Sequence, residues 1–137
     1  MKTFKTIIIG LPVYVYILRS FKNNNNIWEY EIIKSRVTDY YRDEDDDVLN
    51  ICITTVNNNT AVFPIWDEDV THTRAFLQLY NMCDEICEVF TTEEEAIQYV
   101  NDGYVDNILN IDNHIDLLNQ KKIYYREALN KWKNEHC

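Results

Sequence analysis

The chain has 137 residues, of which 46% are hydrophobic, and a formal net charge of −10. This length and composition fit a single domain over residues 1–137 that needs no disulfide or metal to fold. The excess of carboxylates argues against direct binding of nucleic acid, and the two glycines are too few for a glycine-rich phosphate-binding loop.

An apolar run near the start of the chain bears on the cellular compartment. The run from Ile7 to Leu18 follows two lysines, as in a signal peptide, but no small-residue cleavage site comes after it. It is also too short to span a bilayer, and the alternation after Pro12 is typical of a strand. We therefore expect a cytoplasmic protein with no membrane partner. The frequent Asn, Ile and Tyr residues have AT-rich codons, which fits a viral or phage gene, and hence the host cytoplasm, but also fits the genes of many bacteria and protists.

The first half of the sequence predicts an antiparallel sheet of about four strands. Runs of asparagine mark two turns, because Asn tolerates left-handed backbone and bonds its own main chain. Apolar and polar residues alternate on both sides of each run, which is typical of hairpins. In order, the predicted strands and turns lie at 6–21, 23–26, 27–41, 48–56, 57–59 and 60–66.

The second half predicts two or three helices, which makes the protein α+β. Apolar residues from Phe76 to Phe90 recur every three or four positions and predict a helix, with a short strand at Cys87–Thr91 as the alternative. A capping box at Thr92–Glu95 opens a short helix. Gly103 should end that helix, because glycine readily adopts the left-handed conformation found after helix ends.

Residues 106–133 predict one long helix of about 25 residues, with aspartates early and basic residues late, as the helix macrodipole favours. Leu109, Leu117 and Ile123 widen its apolar stripe and favour packing across the sheet. The alternative is a homodimer through 106–133. It uses eight positions that match a coiled-coil seam, namely Ile108, Ile111, Ile115, Leu118, Lys122, Tyr125, Leu129 and Trp132.

Negative charge is concentrated between residues 37 and 106, which carry seventeen acidic and two basic side chains. Such a field attracts basic protein surfaces, and these are often nucleic-acid channels. The leading hypothesis is a non-enzymatic acidic protein, a viral or phage accessory factor, that docks on such a groove of a host or defence protein and inhibits it as a nucleic-acid mimic. This hypothesis requires the carboxylates to gather on one surface. Acidic loops that only keep the protein soluble are the alternative.

The predicted partner-binding residues are two acidic runs and the aromatic side chains beside them. Aromatic anchors surrounded by charge are common in protein interfaces. The set comprises Tyr40, Tyr41, Asp43, Glu44, Asp45, Asp46, Asp47, Trp66, Asp67, Glu68 and Asp69. The alternative function is that of a structural or assembly protein, which self-associates through its C-terminal helix.

A third hypothesis is a small enzyme. His72 lies near the carboxylates of residues 67–69 and near Arg74, which could form an acid–base cluster. Neighbouring residues in an acidic loop produce the same pattern by chance. We therefore predict no catalytic residue and no cofactor.

The cysteines offer one candidate metal site. Cys83 and Cys87 would share a helix face, and with His136 and Cys137 they could bind zinc. Both also fit the apolar stripe of the predicted helix. We therefore predict no metal, and we expect the cysteines, including Cys52, to be free and mostly buried rather than joined in disulfides.

Overall fold

The computed structural model describes residues 2–55, 58, 60–79 and 85–136, with the backbone alone at 77–79 and 85–86. The chain divides into two compact units, Met1–Val100 and Asn101–Cys137. In chain order the elements are α1 (Phe4–Ile7), a 3-10 turn (Ile8–Gly10), β1 (Val13–Lys22), β2 (Trp28–Arg42), β3 (Leu49–Thr55), β4 (Thr60–Ile65), β5 (His72–Leu79), β6 (Glu85–Phe90) and α2 (Glu93–His136). The predicted α+β class is confirmed, and the prediction of a single domain over 1–137 stays a prediction.

The six strands form one antiparallel sheet that closes into a barrel, with the strands in sequence order. Three residue pairs between β1 and β6 close it: Tyr16↔Phe90, Ile17↔Val89 and Leu18↔Glu88. The predicted hairpins β1–β2 and β3–β4 are confirmed. The predicted count of about four strands is wrong, because β5 and β6 complete the sheet.

Alternate side chains of the strands fill the barrel interior, since successive residues of a strand point to opposite faces. Val37, Ile53 and Ala61 lie opposite one another on β2, β3 and β4 and are almost fully buried. A second, smaller cluster lies apart from the interior core. Its buried residues come from β1, β6 and α2: Leu18, Phe90 and Ala96. The beginning of α2 therefore packs on the strands that close the barrel.

The N-terminal segment packs into the barrel core as a helix rather than as the start of a strand. Phe4 and Ile7 of α1 are buried in the same cluster as the barrel interior. The Thr3 hydroxyl caps α1 by accepting the Thr6 N–H at 3.3 Å. The prediction of a strand over 6–21 is therefore wrong for residues 6–10, where tertiary packing overrides the β preference of the isoleucine run.

The two predicted asparagine turns differ in how much of them the structure describes. Asn23 Oδ1 accepts the backbone N–H groups of Asn25 and Ile27 at 2.9 and 3.1 Å. Asn26 has a left-handed φ of 61°, as the sequence predicts. In the second turn Asn58 has a φ of 62°, whereas residues 56, 57 and 59 lie outside the described residues.

The helix predicted from Phe76 to Phe90 is wrong, because this segment contributes β5 and β6. Along β5, Ala75 is buried and Phe76 is 43% exposed, as alternation requires. On β6, Val89 joins the interior core and Phe90 the second cluster, so apolar residues on both faces imitate helical spacing. The alternative strand at 87–91 is close to the observed β6. Residues 80–84 are not described.

A single helix, α2, replaces the two predicted after Thr92. It passes through Gly103, and neither glycine of the chain has a positive φ, so the predicted helix end at Asp102–Gly103 is wrong. A glycine inside a helix costs about 1 kcal/mol, which is less than the cost of nucleating a second helix. None of the described helices is long and apolar enough to cross a membrane.

Phe4→Ala should lower the free energy of unfolding by about 3–5 kcal/mol, because it empties a fully buried site in the barrel core. Urea unfolding measures this loss. Phe21→Ala, at a position that is 43% exposed, is the control and should cost less than about 1 kcal/mol. Equal losses for the two variants would contradict the packing of α1 in the core.

Gly103→Ala should raise the free energy of unfolding by about 0.5–1 kcal/mol, since alanine is the better residue inside a continuous helix. Circular dichroism during thermal unfolding measures the change. A helix that ended at Gly103 in a left-handed conformation would instead be destabilised by the added Cβ. A loss of stability would therefore contradict the continuity of α2.

Candidate functional site

The ends of β2, β4 and β6 meet at one end of the barrel, because neighbouring strands run antiparallel. An acidic segment follows each of them: Asp43–Asp47, Asp67–Asp69 and Glu93–Glu95. We call these three segments the acidic end. It carries eleven carboxylates, whereas the adjoining residues at this end provide three basic side chains, Lys2, Lys5 and Arg42.

Arg42 joins the first two acidic segments. Its Nη1 and Nη2 donate to Glu68 Oε2 and Oε1 at 2.5 and 2.7 Å. These hydrogen bonds lower the pKa of the Glu68 carboxyl against a smaller opposing effect of burial, and the charges of Arg42 and Lys5 add to the lowering. Hydrogen bonding to Glu68 raises the pKa of Arg42 in turn. The pair therefore stays ionised at neutral pH and holds the two segments together.

Two further carboxylates of the first two segments accept hydrogen bonds in or beside their own loops. Asp43 Oδ2 accepts the Asn50 amide at 3.1 Å, and Asp67 Oδ1 accepts the Asp69 N–H at 3.0 Å. Asp47 has a left-handed φ of 53°. Within the described ranges, the Arg42–Glu68 pair is the only ion pair that involves the acidic end. Most of its negative charge is therefore not compensated by a contacting cation.

The predicted aromatic anchors do not share one orientation. Trp66 is 75% exposed beside the second acidic segment. Tyr40 lies opposite the buried Ile51, and Tyr41 lies opposite Asn50, so the two tyrosines occupy opposite faces of β2. Both tyrosines are exposed. The structure thus brings the eight predicted carboxylates to one end and divides the aromatic side chains around it.

Glu93–Glu95 belong to the acidic end but were not among the predicted site residues. The sequence pattern indicates only a helix cap at this position, whereas the pairing of β6 brings the cap to the same end as the other segments. The Thr91 N–H bonds to the Thr71 carbonyl at 3.0 Å, and the Thr71 hydroxyl bonds to Glu95 Oε1 at 3.0 Å. The position of this acidic run directly after a strand could have indicated that it joins the other two segments. The prediction of a helix up to Phe90 removed that indication, because it left no strand before Glu93.

A cavity of about 670 Å³ opens at the acidic end, between α1, β1 and the start of α2. Its lining includes the carboxylate-bearing residues Glu93 and Glu94, the aromatic residues Tyr14 and Tyr16, and Lys2. Carboxylates and aromatic faces both attract cations. The cavity therefore combines two carboxylates and two aromatic rings with one basic residue, and the Lys34 ammonium group already lies 4.3 Å from the centroid of the Tyr14 ring.

His72 belongs to a different cluster from the one predicted for it. Its Nε2 lies 2.5 Å from Glu88 Oε2, and Arg74 Nε donates to Glu88 Oε1 at 3.0 Å. The His72 ring stacks on Phe90 with centroids 4.3 Å apart, and Tyr99 of α2 meets it edge-on. Burial, followed by the charge of Glu88, raises the pKa of Tyr99. His72 therefore pairs across β5 and β6 with Glu88, and the predicted grouping with residues 67–69 is not formed by any described contact.

The cysteine site is only partly described. Cys83 and Cys137 lie outside the described residues, so the alternative of a zinc site that includes them stays untested. Cys52 is a free thiol, and Cys87 is buried in the interior core. Burial raises the pKa of the Cys52 thiol, with a smaller contribution from the charge of Asp39. Among the residues that the structure describes, no group of three or more His, Cys, Asp or Glu side chains is placed to hold a metal ion.

Comparison with known proteins gives no relative for this chain. No protein-family model matches the sequence. No curated protein and no solved structure matches it either. The chemistry of its own residues is therefore the basis for a functional proposal.

Arg42→Gln should raise the pKa of Glu68 toward its ordinary value. Because the folded-state pKa of Glu68 is lower than the unfolded one, the pair stabilises the fold at neutral pH, and this contribution is lost as the pH falls through the folded-state pKa. The urea midpoint of the wild type should therefore fall more steeply with acidification than that of the variant. Arg36→Gln, an exposed charge on the same strand, is the control and should keep the wild-type slope. Equal slopes for the wild type and Arg42→Gln would show that Arg42 does not stabilise the fold through the ionised Glu68 carboxylate.

Proposed function

We propose that the chain is a non-enzymatic binding protein that docks its acidic end on a basic, nucleic-acid-binding groove of another protein and thereby inhibits that protein. An accessory factor of a virus or phage would act in this way. The observation that carries the proposal is the convergence of three acidic segments, from separate parts of the sequence, at one end of the barrel.

The electrostatics of the acidic end support an encounter with a cationic surface. Eleven carboxylates and three basic side chains give this end most of the net charge of −10 that the whole chain carries. A concentrated field of one sign accelerates association with a surface of opposite sign, and added salt screens the effect. A basic groove that binds nucleic acid presents the required Lys and Arg side chains.

Trp66, next to the carboxylates, would supply affinity that salt does not screen. Trp66 is the most exposed aromatic side chain at this end, and an exposed tryptophan gains most when a partner covers it. In the proposed complex, one Lys or Arg side chain of the partner enters the cavity lined by Glu93, Glu94 and the two tyrosines of β1. A partner surface that met both features would be held over the whole acidic end, and nucleic acid would then be excluded from the groove.

The test uses a labelled oligo-lysine peptide as the basic probe, with a single-stranded oligonucleotide bound to it as competitor. Asp45→Asn with Asp46→Asn should weaken binding of the probe by roughly two- to thirtyfold, since each exposed charge pair contributes about 0.2–1 kcal/mol. The same variant should displace less oligonucleotide and show a smaller dependence of affinity on salt. Fluorescence anisotropy at increasing salt concentrations measures all three effects.

The matched control is Glu29→Gln with Glu31→Gln, which removes the same charge at the opposite end of the barrel, where β2 begins. It should retain the wild-type affinity. Trp66→Ala should weaken binding without changing the salt dependence, because it removes apolar contact and no charge. Equal losses for the Asp45/Asp46 and Glu29/Glu31 variants would show that net charge alone attracts the probe, and would refute the proposed site.

A further inference from the structure

The second unit exposes a long apolar seam. Within Asn101–Cys137, apolar residues recur at alternating steps of three and four, with Lys122 as the one charged position. Each apolar member is 42–76% exposed: Tyr104, Ile108, Ile111, Ile115, Leu118, Tyr125, Leu129 and Trp132. A seam of this spacing is the contact surface of a coiled coil, in which each side chain packs between four residues of a second helix. Among the residues that the structure describes, the other α-helix is α1, whose four residues are too few to cover the seam.

We propose that the seam is covered by the same seam of a second copy of this chain, in antiparallel orientation. The distribution of charge along the helix is the reason for proposing this partner and this orientation. The half before residue 117 has Asp102, Asp106, Asp112 and Asp116 and no Lys or Arg. The half after residue 120 has five basic side chains, Lys121, Lys122, Arg126, Lys131 and Lys133, and two glutamates.

Antiparallel pairing places the acidic half of each copy beside the basic half of the other. Parallel pairing would instead place like charges together along both halves. Two paired helices lie 8–10 Å apart, about one Debye length at physiological salt, so these charges are not fully screened from each other. The segregated charges therefore make the helix complementary to itself only in the antiparallel direction.

Lys122 provides a second argument for the same orientation. In a parallel pair in register, equivalent seam positions face each other, so two Lys122 ammonium groups would meet in the apolar contact. The seam has two kinds of position: those that follow a step of four residues, such as Lys122, and those that follow a step of three, which are all apolar. In an antiparallel pair the two kinds face each other, so each Lys122 faces an apolar residue. Its long side chain can then reach outward to the acidic half of the partner, where Asp112 flanks the seam.

Leu109, Leu117 and Ile123 do not belong to this seam. With 3.6 residues per turn they project from the other side of the helix, and all three are more than half exposed. They therefore do not widen the seam, in contrast to the prediction from sequence. Leu117 and Leu118 are for this reason a matched pair: they are neighbours, they are the same residue type, and they face different sides.

The orientation is tested on the wild-type protein with a zero-length carbodiimide crosslinker, which joins a carboxylate directly to an amine. We expect amide crosslinks from Asp112 to Lys122 and from Asp106 to Lys131. These residues are at least about 15 Å apart along one helix, and equally far apart in a parallel pair, so such crosslinks form only between antiparallel copies. Mass spectrometry of the crosslinked peptides identifies them. Crosslinked dimers that lack these links would overturn the proposal.

Association itself is measured by light scattering over a range of protein concentrations. The wild type should rise from the monomer mass toward twice that mass, and Leu118→Asp should remain at the monomer mass under the same conditions. Leu117→Asp adds the same charge outside the seam and should still form the pair. Circular dichroism checks that both variants keep their helix content. A wild type that stays monomeric, or equal effects of the two substitutions, would overturn the proposal.

This inference does not depend on the acidic end. The Leu118 variant leaves Asp43–Asp47 unchanged, and the Asp45/Asp46 variant leaves the helix unchanged. A variant that no longer self-associates should therefore still bind the oligo-lysine probe at its acidic end. Each proposal can fail while the other holds.

Discussion

The fold depends on the pairing of β1 with β6. Only three residue pairs form this junction, yet they turn a six-strand sheet into a closed barrel with no free edge. Closure also brings β6 beside β1, where Leu18 and Phe90 are covered by Ala96 at the beginning of α2. The position of the Glu93–Glu95 segment, and hence the third part of the acidic end, follows from this junction.

Features with a local cause could be predicted from the sequence, and features with a distant cause could not. The Asn23–Asn26 turn and its hairpin are set by residues within a few positions of each other, and both were predicted correctly. β6 was missed because its partners, β1 and β5, decide its conformation, whereas its apolar spacing alone also fits a helix. The helical form of Phe4–Gly10 likewise depends on the core that α1 fills and on carbonyls of residues 68 and 70.

The candidate site was predictable in composition but not in arrangement. The acidic runs at 43–47 and 67–69 are visible in the sequence, and the barrel brings them together through Arg42 and Glu68. Which face each of Tyr40 and Tyr41 occupies could not be deduced from the alternation of the residues before them, because an irregularity between Val37 and Asp39 shifts the register of β2 against β3. A shift of one residue exchanges the faces of all side chains that follow it. The two proposed surfaces lie in different units and use different physics, since charge dominates at the acidic end and apolar contact dominates along the seam.

The segment that carries Trp66 and Asp67–Asp69 is anchored from several directions. Main-chain N–H groups of Phe4 and Lys5 donate to the carbonyls of Val70 and Glu68 at 3.1 and 2.9 Å, and the side chain of Glu68 is bound by Arg42. A loop ordered in this way is preorganised, so it loses little conformational entropy when a partner arrives. Binding of the proposed partner to this loop should therefore occur at a rate set mainly by diffusion and electrostatic steering, without a slow step of loop folding.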